Sequence, residues 1–258
     1  MIDHKDIVIS GGGIAGLVAA VAFGDAGFDV LCVDPTPPVT NRDTAGADLR
    51  TTAYLQPGQA FLEAIGVWPL VADRSSTLQV MRIVDAASPD LVTKDFDATD
   101  ISDAPFGWNV GNWDMRDGLL SRIATLPNVT FEPGLFTTST NTRSTEARVT
   151  LSDGRLISCK LLIAADGRDS AIRKAAGIAS KRIEFGQLAL SFAVTHVVEH
   201  GNISTEVHKS GGPFTLVPLP DFEGQPSSAV VWMGKVLHIQ AMQALSVGEF
   251  NTQITARS

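Results

Sequence analysis

Cysteine is almost absent: the 258 residues contain two, Cys32 and Cys159. Each lies in an apolar run that reads as a strand, so both are expected as small core residues in a reducing compartment, not as a disulfide or redox pair. There is no CxxC and no Gly-x-Ser-x-Gly elbow, which removes two common reactive-site patterns. Long apolar runs are lacking too; none approaches the ~20 residues that span a bilayer. Basic excess is missing. The net charge is −8 and the pI about 5.0, which argues against non-specific nucleic-acid binding. The first residues, Asp3, His4, Lys5 and Asp6, are polar, so no signal peptide is expected and the location reads as cytoplasmic. No internal repeat or low-complexity tract interrupts the chain. What is present is a 44% hydrophobic content, ample for a core, over a length that suits one large or two small domains.

Glycine is placed with purpose. Residues 6–10 (DIVIS) read as a buried parallel strand. Gly11-Gly12-Gly13-Ile14-Ala15-Gly16 follows at once, then an apolar helix over 17–23, a helix stop at Gly27 and a second strand over 29–34. In a strand–turn–helix–strand unit, Gly11 allows the tight turn, Gly13 the close approach of a pyrophosphate, and Gly16 the packing of helix on strand. The amides of Ile14 and Ala15 open the helix toward a phosphate. Asp34 ends the second strand, where it can accept from ribose hydroxyls. This is a dinucleotide site; the bland alternative is a glycine turn that only packs.

Further along, residues 35–48 read as a loop, 50–53 as the lead into a helix over 57–65, and 78–84 and 91–96 as strands of another layer. Residues 115–124 read as a helix. Strands are expected over 129–132, 147–151 and 156–159, with Asp153-Gly154 as a hairpin turn, and a separate buried strand over 161–165. From Gly186 the pattern is mostly strand (188–198, 214–219, 229–233), with a last helix over 246–256. There Val247, Phe250 and Ile254 form an apolar stripe, expected to lack a partner within the chain. Ala165-Asp166-Gly167-Arg168-Asp169-Ser170 puts an acid and a glycine at a strand's C-terminal end, where ligands bind in a parallel sheet. Asp169 or Ser170 can cap the next helix, and Arg173 can face a phosphate.

DIVISGGGIAGLVAA (6–20), DLRTTA (48–53), MRDGLL (115–120), AADGRDSAIRKAAG (164–177) and GGPFTLVPLPD (211–221) with SSAVVWM (227–233) together resemble the flavin-dependent aromatic hydroxylases of the p-hydroxybenzoate hydroxylase type. Within these they are most similar to the polyprenylphenol hydroxylases of ubiquinone biosynthesis. The resemblance implies an α/β chain of the glutathione-reductase-type flavin monooxygenase fold. A Rossmann-like FAD-binding domain (1–73 and 108–180) would carry an inserted β-rich substrate domain (74–107 and 181–258). By the same resemblance, Asp34 holds the FAD ribose, Arg50 and Arg116 lie along the cofactor, and Asp166 and Gly167 approach the pyrophosphate. NADPH or NADH would supply electrons, and one atom of O₂ would enter a phenolic ring, the substrate being small and lipophilic. The β-rich part would floor the substrate pocket, and the catalytic side chain is unknown because the cofactor carries the chemistry. Peripheral contact with the inner membrane and a ubiquinone-biosynthesis complex would follow, although no basic amphipathic helix marks such contact. The family's further Gly-Asp motif does not occur after Gly186, so the chain is expected to be incomplete at its C-terminus, marginally stable and inactive alone. Two alternatives stand beside this reading: a non-catalytic flavin- or nucleotide-binding fragment, and another FAD oxidoreductase of the same fold, such as an amine oxidase, which the 164–177 segment speaks against.

His196-Val197-Val198-Glu199-His200 matches the inverted zinc-protease pattern H-x-x-E-H. Its β-branched setting reads as a strand, which would hold the histidines about 13 Å apart, so no metal is expected. Trp68, Trp108, Trp113 and Trp232 read as core or domain-contact residues.

Overall fold

The computed structural model describes residues 2–87, 90–209 and 211–258. In chain order its first elements are β1 (Ile2–Ser10), α1 (Ile14–Asp25), β2 (Val30–Asp34), β3 (Thr51–Leu55), α2 (Gln56–Ala64), β4 (Ser75–Leu78), β5 (Val80–Asp85), β6 (Val92–Asp97) and β7 (Gly107–Gly111). Then come α3 (Asn112–Ile123), β8 (Val129–Pro133), β9 (Thr137–Thr142), β10 (Ala147–Leu151), β11 (Leu156–Ala164) and α4 (Ala171–Ala175). The last are β12 (Gln187–Thr195), β13 (Ile203–Lys209), β14 (Gly212–Phe222), β15 (Gln225–Lys235), α5 (Val236–Gln243) and α6 (Val247–Thr255).

The chain forms two compact units. The first takes 1–48, 61–73 and 112–181. Its sheet runs β8-β2-β1-β11-β10-β9, the first four parallel and the last two added antiparallel. Alternation along β1 sends Val8 to one face, where it joins Leu31, Val33, Val149, Ile157 and Cys159 in a buried cluster. α1 and α3 pack on each other, burying Leu17 and Val21 from one and Met115 and Leu119 from the other. The residues expected as two strands (156–159 and 161–165) are one: β11 pairs in parallel with β1 from end to end, while β10 pairs only with its first half. Lys160, the polar residue that split the pattern, is exposed and donates to Asp6 at 2.8 Å.

The second unit takes 49–60, 74–111 and 182–258. Its main sheet runs β12-β15-β14-β13-β5-β6, and a smaller one β3-β7-β4. Residues 51–55, expected to lead into a helix, are therefore a strand paired with β7. α5 and α6 lie over the main sheet, and Phe214, Val230, Trp232, Ile239, Met242 and Ile254 form the core between them. The apolar stripe of α6 thus has its partner within the chain: Ile254 is buried and the Phe250 ring stands edge-on to Phe192 at 5.2 Å. Trp68, Trp113 and Trp232 are buried, as are both free cysteines.

Candidate functional site

Within the first unit the C-terminal ends of β1, β2 and β11 converge. Gly11 leaves β1 with a φ of +112°, and a Cβ there would lie 2.2 Å from the Ala165 carbonyl oxygen. Only glycine suits both the angle and the space. The Ala165 amide donates back to the Ser10 carbonyl at 2.8 Å, which locks the two strand ends together. A Cβ on Gly16 would sit 1.8 Å from the Gly11 oxygen, so the first turn of α1 rests directly on the turn that precedes it. Gly13 differs: nothing lies within 4 Å of where its Cβ would be. It occupies the N-cap of α1 with extended backbone, no side chain caps the helix, and no acidic residue sits in its first turn. The opening amides of a 12-residue helix, Ile14 and Ala15 among them, therefore face an approachable gap with their partial positive charge.

Asp34 ends β2. Its Oδ2 accepts from the Gly12 amide at 2.6 Å and its Oδ1 from the Thr36 amide at 2.8 Å. The glycine turn thus orients the carboxylate, and each oxygen keeps a further lone pair for a ligand hydroxyl. Burial first, and Asp34 second, push the thiol of neighbouring Cys32 up to about 12, so that cysteine is inert.

Asp166 follows β11. Its Oδ2 accepts from the amides of Ala171 and Ile172 at 2.9 and 3.3 Å. Its Oδ1 is buried and has no hydrogen-bond partner. Burial acts to raise the pKa; the Ser170 hydroxyl and the Ile172 and Ala171 amides outweigh it and hold the acid below the ordinary carboxylate value. Gly167, at φ +86°, turns the chain toward Ser170, which caps α4 by accepting from the Arg173 amide at 3.0 Å.

Arg116 projects from α3 onto Asp48, with Nη2 to Oδ2 at 3.1 Å, and Asn112 donates to the same oxygen at 2.9 Å. Asp48 and Asn112 were not singled out from the sequence as site residues. The available signal was the i, i+4 spacing of Asn112 and Arg116, which puts both on one helix face. Arg50 belongs to the second unit, just before β3.

These features fit a dinucleotide. An uncapped helix start suits a pyrophosphate, an oriented carboxylate suits vicinal hydroxyls, and the orphaned buried Oδ1 of Asp166 calls for a donor.

The strand reading of residues 196–200 needs correction. β12 stops at Thr195, and the chain then turns. The two histidine rings approach to 6.2 Å, far closer than an extended strand allows. Their nitrogens are already engaged: His196 with the Val198 carbonyl at 2.6 Å and the Ser228 hydroxyl at 2.9 Å, His200 with the Leu219 carbonyl at 3.1 Å and the Asn202 amide at 3.0 Å. Among the described residues no group of three or more His, Cys, Asp or Glu is placed to hold a metal.

A family model described as an FAD-binding domain matches residues 4–235. Among curated proteins, the chain is 31% identical to the ubiquinone hydroxylase UbiL of Rhodospirillum rubrum over 98% of its own length and 57% of that protein's. It is 28% identical to the mouse mitochondrial ubiquinone biosynthesis monooxygenase COQ6, over 95% of this chain and 53% of that one. The chain therefore spans little more than half the length of these relatives. Among solved structures it superposes on PqsL of Pseudomonas aeruginosa in complex with 2-aminobenzoylacetate with a TM-score of 0.80 at 20% identity, covering 99% of this chain and 67% of that one. For p-nitrophenol 4-monooxygenase PnpA of Pseudomonas putida the TM-score is 0.77 at 18% identity, with 100% and 62% covered. At such identities these two show the fold.

Proposed function

From the premise that this chain belongs to the FAD-binding domain family, we propose that it carries the flavin site of an NAD(P)H-dependent monooxygenase acting on a phenolic ring. The first unit is the FAD-binding domain and the second the substrate domain. Bound FAD supplies the passage of electrons from NADH or NADPH to O₂, chemistry that no side chain provides. The chain's own residues bind and orient. The α1 amides at Ile14 and Ala15 receive the pyrophosphate, with Gly13 leaving room for it. Asp34, held by the Gly12 amide, accepts from the ribose. Arg116, steadied by Asp48 and Asn112, contributes a cation along the cofactor. The free Oδ1 of Asp166 and the turn at Gly167 complete the pyrophosphate side.

The observation that carries this reading is the convergence of the glycine turn, Asp34 and Asp166 on one end of the sheet. The names of the relatives support the finer part: a polyprenylphenol of ubiquinone biosynthesis as substrate, with peripheral membrane contact and a biosynthetic complex as its setting. No helix of the described residues is long and apolar enough to cross a membrane.

Incubation of the chain, joined to the C-terminal portion that its longer relatives carry, with FAD, NADH or NADPH, ¹⁸O₂ and a prenylated phenol tests the activity. One labelled oxygen atom in the ring is expected. Flavin reduction without any labelled product, across simple and prenylated phenols, would contradict the hydroxylase assignment and leave the flavin site standing.

A further inference from the structure

The turn between β12 and β13 is tied down through two histidines whose contacts differ in kind. His196 sets Nδ1 2.6 Å from the Val198 carbonyl and Nε2 2.9 Å from the Ser228 hydroxyl. A carbonyl only accepts, so Nδ1 carries a hydrogen. A hydroxyl donates or accepts, so Nε2 keeps its partner whether bare or protonated. His200 has no such freedom. Its Nδ1 accepts from the Asn202 amide at 3.0 Å, and its Nε2 donates to the Leu219 carbonyl of β14 at 3.1 Å. A backbone amide only donates, so Nδ1 is bare and the ring neutral. An added proton would set two N–H groups against each other.

Asn202 is the residue this bond holds. Its φ is +60°, a left-handed conformation uncommon outside glycine. Its carbonyl accepts from the Gln79 and Val80 amides at 2.9 and 3.3 Å, where β5 begins beside β13. The Ile203 amide then donates to the His200 carbonyl at 3.0 Å as β13 starts. The His200 ring therefore steadies the point from which β13 and β5 run in parallel.

We infer that His200 is a proton-operated latch on this turn. Neutral, it holds Asn202 and, through Asn202, the start of β5. Protonated, it releases the Asn202 amide and the turn opens. The closed turn accepts only the neutral ring, so falling pH works against it through the range in which imidazoles take up a proton, about 6.5 for histidine in general. Sharing the cavity that the ring faces are His196, with ring centroids 6.2 Å apart, Glu199, and Arg82 of β5, whose guanidinium is engaged with Asp95 at 2.8 and 2.7 Å. α6, β14 and β15 bring the neutral Asn251, Thr255, Leu216 and Ser228 to it. His196 keeps both of its contacts when charged, so it stays in place while His200 lets go. Charge on both rings adds repulsion to the lost bond.

Amide hydrogen exchange read by NMR on the whole chain, between about pH 8 and about pH 5 and corrected for the intrinsic pH dependence of exchange, tests the latch. The Asn202 amide should be protected at the upper end and lose protection by about tenfold or more at the lower. His200→Asn supplies a side-chain oxygen where Nδ1 stands, able to accept from the amide two residues on as in an Asx turn, and takes up no proton. It should keep Asn202 protected at both ends. His200→Ala should leave that amide unprotected throughout. Ring ¹⁵N shifts follow the same event without any substitution: Nδ1 of His200 should pass from bare to protonated over the interval in which Asn202 loses protection. Steady protection of Asn202 while the ring takes up its proton, a loss that persists in His200→Asn, or protection that survives His200→Ala would each overturn the inference.

Discussion

Gly16 shows how much a single hydrogen atom decides in this chain. A methyl group there would meet the Gly11 carbonyl oxygen at 1.8 Å and the Ala165 Cβ at 3.3 Å, neither of them the end of a flexible side chain that could give way. Gly16→Ala should cost at least the ~1–3 kcal/mol of an overpacked core, seen as a lowered midpoint in urea unfolding. Gly13→Ala, with open space at its Cβ, should leave stability nearly unchanged while narrowing the approach to the α1 amides. Asp166 supplies a pH dependence. Its folded pKa is depressed, so its contribution to stability is present above the unfolded value near ~3.9 and is lost as pH falls through the lower folded value. Urea unfolding of Asp166→Asn across that acid range should lack this part of the loss. A slope identical to that of the unchanged protein would mean the carboxylate is not held by the α4 amides. At this scale the sequence was most legible at Gly11 and Gly16, where the turn and the packing each demand glycine. Asp48 was harder to see, since an acid in a loop acquires meaning only when Asn112 and Arg116 fold onto it.

The elements were legible where local pattern and tertiary setting agree. β1, α1 and β2 are apolar runs broken by glycine, and they form as their pattern says. β9 (TTSTNT) has no apolar alternation and exists because β10 pairs with it. β7 (GWNVG) carries a glycine at each end and is held between β3 and β4. α5 (VLHIQAMQ) shows no clean apolar face; Ile239 and Met242 alone are buried, and the sheet beneath them selects the helix. The segment 196–200 went the other way. Its β-branched residues suggest strand, yet Val197 and Val198 are exposed, and the hydrogen bonds of His196 and His200 stabilise a turn instead. α6 permits a direct measurement. Ser246 and Glu249 form a reciprocal capping box, and Ile254 sits in the core. Ser246→Ala should cost about 1 kcal/mol and Ile254→Ala about 2–5 kcal/mol in chemical denaturation. A negligible effect of Ile254→Ala would mean that α6 does not pack on the sheet.

On the scale of the whole molecule, a mostly parallel sheet in which three strand termini converge at one end lies in one unit, and a mixed sheet covered by two helices lies in the other. The fold class was readable because two separated segments, at Gly11–Gly16 and Ala165–Ser170, belong to adjacent strands of one sheet, a pairing the chain order alone does not reveal. The central claim is that the convergence of these strand ends binds FAD with Asp34 on the ribose. Titration of FAD into the protein, followed by quenching of flavin fluorescence, tests it most directly, with Asp34→Ala as the comparison and thermal melting as the check on folding. The account predicts saturable binding by the unchanged protein. For Asp34→Ala it predicts affinity weaker by the ~1.5–3 kcal/mol of charge-assisted hydrogen bonds, about ten- to a hundredfold. Equal affinity in the two proteins, or no binding to either, would contradict it.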